Sequence, residues 1–302
     1  MQPYKFNTIS EYHQFRGLPK PEHPLVSVVN FESIKRLSND EPKSIVQNFY
    51  AVAFKKNVNC KMNYGQLEYD FDEGTMFFIA PGQVFSIEAN TATLTHSGWL
   101  LLIHPDFLWN TPLIKTIKQY EYFSYSVNEA LFLSEKEELT IISIFENIAQ
   151  EYRSNIDKFS QKIIISQIET LLNFSERFYQ RQFITREKNN SHILDRLEEV
   201  LNGYFTTKSM AKGEFPTVKL IAERLNVSPN YLNGVLKTVT GQSTQQHIHE
   251  KLIEKAKEVL STTNLSVSEI AYGLGFEYPQ SFSKLFRQKT SMTPLEFRKS
   301  FN

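Results

Sequence analysis

The sequence predicts an α+β multidomain protein: an antiparallel β-barrel or sandwich, a helical hairpin behind it, and an all-α double helix-turn-helix. Three observations carry this expectation. Residues up to about 110 hold short runs rich in Val, Ile, Phe and Tyr, broken by turn residues. From about 111 to 206 the apolar spacing becomes helical. Beyond that, residues 218–241 (VKLIAERLNVSPNYLNGVLKTVTG) and 267–291 (VSEIAYGLGFEYPQSFSKLFRQKTS) are two versions of one module. The expected domains are therefore 1–110, 111–206 and 207–302.

In the front region, strand-length runs occur at 24–31, 46–54, 65–71, 75–87 and 98–105. Their spacing suits an antiparallel sandwich or barrel rather than strands separated by helices. Asp72-Glu73-Gly74 and Pro81-Gly82 supply turns.

In the middle region, Ser134 and Glu137 fit a capping box, in which hydroxyl and carboxylate serve orphan amides at a helix start. Leu139, Ile142, Phe145, Ile148, Ala149 and Tyr152 then follow at three- and four-residue steps. A second long helix is expected from near Phe159 to Phe183, with Ile164, Ile168, Leu171, Leu172, Ser175, Phe178 and Tyr179 along one side. This hairpin carries more apolar surface than two isolated helices hide. It either covers the β region or meets a second copy of the chain. Lys188-Asn189-Asn190-Ser191 reads as a polar break, residues 192–205 as a further helix, and residues 206–216 as a loop.

In the repeat, Ile221-Ala222 and Leu225 fall on Ile270-Ala271 and Leu274. With one extra residue in the second turn, Pro229, Leu232, Leu236 and Lys237 fall on Pro279, Phe282, Phe286 and Arg287. Each copy is a short helix, a tight turn and a second helix opened by proline, whose missing N–H costs nothing there. Ser228 is placed to cap the first proline-led helix. Ser243 with Gln246, Ser266 with Glu269, and Thr293 with Glu296 repeat the capping logic. Between the units, a helix of roughly 244–261 carries Ile248, Leu252, Ala256, Val259 and Leu260 inward.

Composition excludes several classes. Hydrophobic residues at 41% and charged residues at 22% exclude a largely disordered chain. Net charge is zero, yet residues 217–302 carry 11 Lys/Arg against 7 Asp/Glu. No apolar run reaches the roughly 18 residues that span a bilayer. The first residues lack a signal-peptide core, and the single cysteine, Cys60, has no partner for a disulfide, so a cytoplasmic protein without membrane association is expected. No Cys/His spacing resembles a zinc site, and no metal or other cofactor is expected.

Two helix-turn-helix units in tandem point to double-stranded DNA. With Leu232/Val235/Leu236 and Phe282/Leu285/Phe286 facing the core, the outward residues are Asn230, Asn233, Gly234 and Lys237 in one unit, and Gln280, Ser283, Lys284 and Arg287 in the other. Asn and Gln pair bidentately with adenine, and Lys reaches guanine acceptors. Lys237 and Arg287, a turn further on, suit phosphates.

The C-terminal stretch resembles the AraC/XylS family of transcription regulators. Its signature stands here as SEIAYGLGFEYPQSFSKLFRQKTSMTPLEFRKS (268–300), with Ile270-Ala271, Gly275-Phe276, Phe282, Phe286, Thr293-Pro294 and Phe297-Arg298 in place. Three positions depart from the pattern. Gly234 stands where members often carry a base-reading basic residue, Lys251 where arginine is usual, and Ser291 where glycine is common. By its layout the front region looks like the cupin-like sensor domain of many members. The resemblance implies a homodimeric regulator that binds DNA, takes a small-molecule effector in the front domain, and acts with RNA polymerase.

A cupin-like domain raises the question of a metal enzyme. His13, His23, His96 and His104 form no His-x-His pair, and Phe85 stands where a metal-binding cupin would place histidine. Neither a nucleophile–base arrangement nor a Gly-rich phosphate loop stands out, so an enzyme is not expected. A DNA-repair protein on the same helix-turn-helix pair would need a reactive cysteine site, and Cys60 stands alone. For the front domain two readings remain: an effector-binding sensor, or an unliganded scaffold that dimerises the chain or meets another protein.

Overall fold

The computed structural model describes residues 4–34, 44–56, 74–85, 97–126, 129–154, 157–185, 187–204 and 215–300. They belong to two compact units, Met1–Gln182 and Phe183–Asn302.

The first unit contains β1 (Tyr4–Phe6), α1 (Ile9–Phe15), β2 (Val26–Asn30), β3 (Ile45–Gln47), β4 (Tyr50–Lys56), β5 (Gly74–Ile79), β6 (Val84–Phe85), β7 (Ser97–Ile103), a short α2 (Leu113–Thr116), β8 (Leu131–Leu133), α3 (Glu135–Arg153) and α4 (Ser160–Thr185). Five strands form an antiparallel sheet in the order β2-β7-β4-β5-β8. The remaining three form a sheet in the order β1-β3-β6, in which β1 and β3 run parallel.

The expected antiparallel sheet is present; among the described residues the strands of the expected barrel or sandwich form two sheets, the smaller with one parallel pair. The run at 46–54 breaks at Asn48-Phe49, so its two halves join different sheets, and Phe49 is buried between them. The run at 75–87 splits at Pro81-Gly82, where Gly82 takes φ +80°. The strand at 65–71, Asp72-Glu73, His96 and Cys60 lie outside the described residues. β1 and α1 were not expected, although Thr8 and Glu11 form a capping box at the head of α1.

One core lies between the sheets: Phe6, Ile9, Tyr12, Ile45 and Phe49 meet Val29, Ala51, Ala53, Leu100 and Leu102. The opposite face of the large sheet meets aromatic residues. Phe78 packs on Tyr122 at 4.4 Å, Tyr50 on Phe123 at 5.2 Å, and Tyr122 stacks on Tyr179 of α4 at 5.5 Å. The described histidines of this unit have structural partners. His13 is buried with Nε2 3.0 Å from Ser27 Oγ and Nδ1 2.6 Å from Pro19 O. The Nδ1 of His23 accepts from Leu25 N, and that of His104 from Asp106 N.

The helical hairpin closes both edges of the large sheet. An edge strand presents unpaired amides and carbonyls. On β2, Val28 N donates to Tyr152 Oη of α3 at 3.0 Å, and that hydroxyl donates to Val28 O at 3.2 Å. On β8, Phe132 N donates to Gln182 Oε1 at 2.8 Å, Gln182 Nε2 to Ala130 O at 3.1 Å, and Arg181 Nη2 to Phe132 O at 2.7 Å. The Ser134–Glu137 capping box forms as expected, and Glu137 also pairs with Arg181 at 2.6 Å. The inward face of α3 differs from expectation. Leu139 is 68% exposed and Ile142 half-buried, while Ile141 and Ile144 are buried beside Phe145, Ile148, Ala149 and Tyr152. On α4 the expected face, from Ile164 to Tyr179, is buried throughout.

The second unit contains α5 (Glu187–Tyr204), α6 (Val218–Leu225), α7 (Pro229–Thr240), α8 (Thr244–Thr262), α9 (Val267–Gly273), α10 (Pro279–Thr290) and α11 (Pro294–Lys299). The expected polar break at 188–191 is helical and belongs to α5. Leu197, Leu201 and Tyr204 of α5 are buried in one core with Ile221, Ala222 and Leu225 of α6. Arg196 Nη2 donates to Leu225 O, and the Arg224 guanidinium lies 4.3 Å above the Tyr204 ring. Thus α5, expected with the middle region, packs with the C-terminal helices.

Replacing Gln182 with alanine would orphan the Phe132 amide of β8 and the Ala130 carbonyl just before it. We expect a loss of about 1–3 kcal/mol in urea denaturation, without change in the helix-turn-helix unit. The capping carboxylates Glu269 and Glu296 are held below the usual range, the first chiefly by the Ser266 hydroxyl and the second chiefly by the Thr293 amide. A depressed carboxyl pKa contributes stability above its unfolded value and loses it as pH falls through the folded one. Thermal melts of the C-terminal unit at descending pH should therefore shift downward below about pH 4.5, and Glu269→Gln should reduce that shift.

Candidate nucleic-acid interface

The two helix-turn-helix units are built by the same local chemistry. Thr217 caps α6, and Ser266 with Glu269 caps α9. Each first helix ends in a left-handed residue, Asn226 at φ 57° and Gly275 at φ +83°. Just beyond it, an amide reaches back to the helix: Val227 N to Ala222 O at 3.0 Å, Phe276 N to Ala271 O at 2.9 Å. Asparagine tolerates this region better than other side chains, and glycine does so freely. Ser228 then caps α7 through Tyr231 N, whereas Glu277 and Tyr278 lead into α10 with no side-chain cap. This is where the second unit holds its additional residue.

From the prolines onward, α7 and α10 correspond at an offset of 50 residues, through the capping boxes Ser243/Gln246 and Thr293/Glu296. Leu232, Leu236, Phe282 and Phe286 are fully buried. Val235 is buried, whereas its counterpart Leu285 is only half-buried. α8 lies between the units, burying Ile248, Leu252, Ala256, Val259 and Leu260, as expected, and also Ile253. One core includes side chains from α6, α7, α8, α9 and α10. α8 is pinned at its far end by Arg298 of α11, whose Nε donates to Leu260 O and Nη2 to Leu265 O. The recognition helices thus share a rigid support.

The expected site residues fall as follows. Asn230, Lys237, Gln280, Lys284 and Arg287 are exposed, while Asn233 and Ser283 are half-buried. Among the described residues, no carboxylate lies within 4.0 Å of the Lys237, Lys284 or Arg287 side chains, whereas Lys289 sits 3.7 Å from Glu250. Asn233 is engaged: its Oδ1 accepts from Thr244 N, the first amide of α8, at 3.3 Å. Gln288 was not singled out from the sequence. It is exposed, and its position four residues beyond Lys284 and eight beyond Gln280 is the spacing that could have revealed it.

A pair of exposed, donor-rich helices on one core defines a double helix-turn-helix unit suited to duplex DNA. Residues 221–300 match a family described as "Helix-turn-helix domain". Over 162 residues the chain is 27% identical to histidine kinase P4 of Formosa agariphila, covering 52% of this chain and 12% of that protein. An uncharacterised HTH-type transcriptional regulator of Bacillus subtilis, YisR, is 34% identical over 86 residues, 28% of this chain and 30% of its own length. The raffinose operon transcriptional regulatory protein RafR of Pediococcus pentosaceus is 36% identical over 84 residues, 28% and 30% of the two chains. These matches span between 12% and 30% of those relatives' lengths. Residues 221–300 thus form a helix-turn-helix domain of the AraC type.

Gly241 ends α7 at φ 75°, and its counterpart Ser291 ends α10 at φ 61°. A serine there carries strain that glycine avoids. Ser291→Gly should raise unfolding stability by about 0.5–1 kcal/mol, and Gly241→Ala should lower it, both read by denaturant titration.

Proposed function

We propose that the protein is a cytoplasmic, sequence-specific transcription regulator that reads duplex DNA with α7 and α10. The observation that carries this reading is the duplicated outward stripe on two helices fixed by one core. At about 1.5 Å per residue, the 19-residue α8 is about 28 Å long, near the roughly 34 Å repeat of the duplex. Such spacing suits entry into successive major grooves on one face. In this reading Gln280 and Lys284 meet base edges, Asn230 and Ser283 lie beside them, Lys237 and Arg287 neutralise phosphates, and Asn233 stays at the inner rim with its oxygen on Thr244 N. The protein acts as a homodimer, and contact with RNA polymerase would connect DNA binding to transcription.

The N-terminal unit is read as an effector-binding sensor. Support comes from an open cleft of about 290 Å³ lined by Trp99, Glu146, Ala149, Gln150, Arg153 and Ser154, which joins an aromatic wall to polar groups. A second reading, a scaffold without ligand, is favoured by the space between the sheets, which Phe6, Tyr12, Phe49 and their neighbours fill. A thermal-shift screen against metabolites separates the two. A sensor gains melting temperature with ligand excess, and a scaffold gains none. Among the described residues, no helix is long and apolar enough to cross a membrane.

Gln280→Ala and Lys284→Ala should each weaken binding to a selected operator by about 1–3 kcal/mol in fluorescence anisotropy, and unchanged affinity would refute their assignment. Lys237→Ala should weaken binding to all sequences alike and lower the salt slope by about 1, as titrations at several salt concentrations would show.

A further inference from the structure

The correspondence between α7 and α10 allows the outward stripes to be compared position by position. Asn230 matches Gln280, Gly234 matches Lys284, Lys237 matches Arg287, and Thr238 matches Gln288. On α10 all four positions carry long donor-bearing side chains, and all four are exposed. On α7 the central position is a glycine and the last a half-buried threonine. Lys284 is thus the point of greatest difference: a long cationic side chain stands where its counterpart, Gly234, has none.

The inner positions, Asn233 and Ser283, differ for a reason found in the next helix. Thr244 opens α8 and has a backbone N–H, one of the orphan donors of a helix start. Asn233 Oδ1 accepts it at 3.3 Å. The counterpart of Thr244 is Pro294, which has no N–H and makes no such demand on Ser283. Thr244 is also 1% exposed, and among the described residues its own hydroxyl finds no hydrogen-bond partner. The junction between α7 and α8 therefore depends on the Asn233 carbonyl. A half-buried carboxamide turned toward that amide is held away from the orientation in which both its groups would meet the edge of an adenine.

We infer that the protein reads its operator unequally: α10 supplies the base discrimination, α7 anchors to the backbone through Lys237, and Asn233 is a positioning residue for α8. This rests on the DNA-reading function proposed above. The target class that follows is an asymmetric duplex site, with one half specified in sequence and the other tolerant of substitution.

The test uses the full-length protein, duplexes selected from a random pool, and single base-pair substitutions across the selected site. Positions whose discrimination disappears in Lys284→Ala mark the half under α10. Substitutions there should weaken wild-type binding by roughly tenfold or more each, and those in the other half by less than about threefold. Asn233→Ala should lower the melting temperature and leave the base profile unchanged. Gly234→Lys should create a preference of about tenfold at one or two base pairs of the tolerant half. Should that variant fail to fold, the wild-type profile and Asn233→Ala decide the matter. Equal discrimination in both halves overturns the inference, as does an Asn233→Ala profile flattened in one half with the melting temperature unchanged. Both outcomes leave the DNA-reading function intact. No preference for any duplex over the random pool overturns that function, and the inference with it.

Discussion

The buried stripe of α8 is the constraint on which the C-terminal unit depends. Neither helix-turn-helix is large enough to bury its own apolar face. Ile221, Leu225, Leu232 and Leu236 of the first, and Ile270, Leu274, Phe282 and Phe286 of the second, are enclosed only because Ile248, Leu252, Ile253, Ala256, Val259 and Leu260 lie between them. Close packing makes such a core resist small displacements, so the angle between α7 and α10 is set by side-chain volume rather than by the connecting turns. The ends of α8 are fixed as firmly. Ser243, Gln246 and Asn233 satisfy its first amides, and Arg298 satisfies carbonyls at and beyond its last turn. The proposed entry into two grooves at once would need this stiffness, since flexibility between the units would cost binding energy in lost entropy.

In the N-terminal unit a comparable logic governs the sheet edges. Tyr152 takes both polar groups of Val28 on β2, and Gln182 with Arg181 takes those of the Ala130–Phe132 segment on β8. Helices α3 and α4 are therefore bound to opposite ends of one sheet. A hairpin so engaged is part of the β domain's fold. Its buried apolar residues are accounted for within the chain, and only the remaining exposed ones, such as Leu139 and Ile163, face outward. The apolar surplus that suggested a dimer face in the sequence is much reduced by this packing.

How much of this was legible in the sequence depended on whether the signal was local. Helix starts in the C-terminal unit were readable because a capping box is a contact among four neighbouring residues, and every one expected there forms. The repeat was readable because the same buried positions recur. The inward face of α3 was misjudged because Leu139-Thr140-Ile141-Ile142 allows two helical phases. The choice of Ile141 over Leu139 follows from Glu138, whose carboxylate turns inward to meet Gly74 N and Lys56 Nζ. That partner lies 64 and 82 residues away, beyond any local pattern. Likewise α5 carries polar residues at its head, and its attachment to the C-terminal core comes from Leu197, Leu201 and Tyr204 finding α6. The role of Asn233 was hidden for the same reason: its spacing on α7 is that of a base-reading residue, and only the first amide of α8 reveals its engagement.

The charge distribution shows how a chain of zero net charge can still present a basic surface to a polyanion. Within the C-terminal unit most cations are occupied. Lys219, Lys251 and Lys255 pair along their own helices with Glu223, Glu254 and Glu258, Lys289 pairs with Glu250, Arg298 holds carbonyls, and Arg224 lies on Tyr204. Exposed pairs of this kind add little stability. Their larger consequence is to cancel field over the surfaces they cover. The cations without such a pair among the described residues are Lys237, Lys257, Lys284, Arg287 and Lys299. Three of these five lie on the recognition helices, and two of the three on α10. With a Debye length of about 8 Å at physiological salt, a duplex phosphate responds to the nearest charges and not to the net charge of the whole chain. Local arrangement, and not total charge, is what makes this surface attractive to DNA.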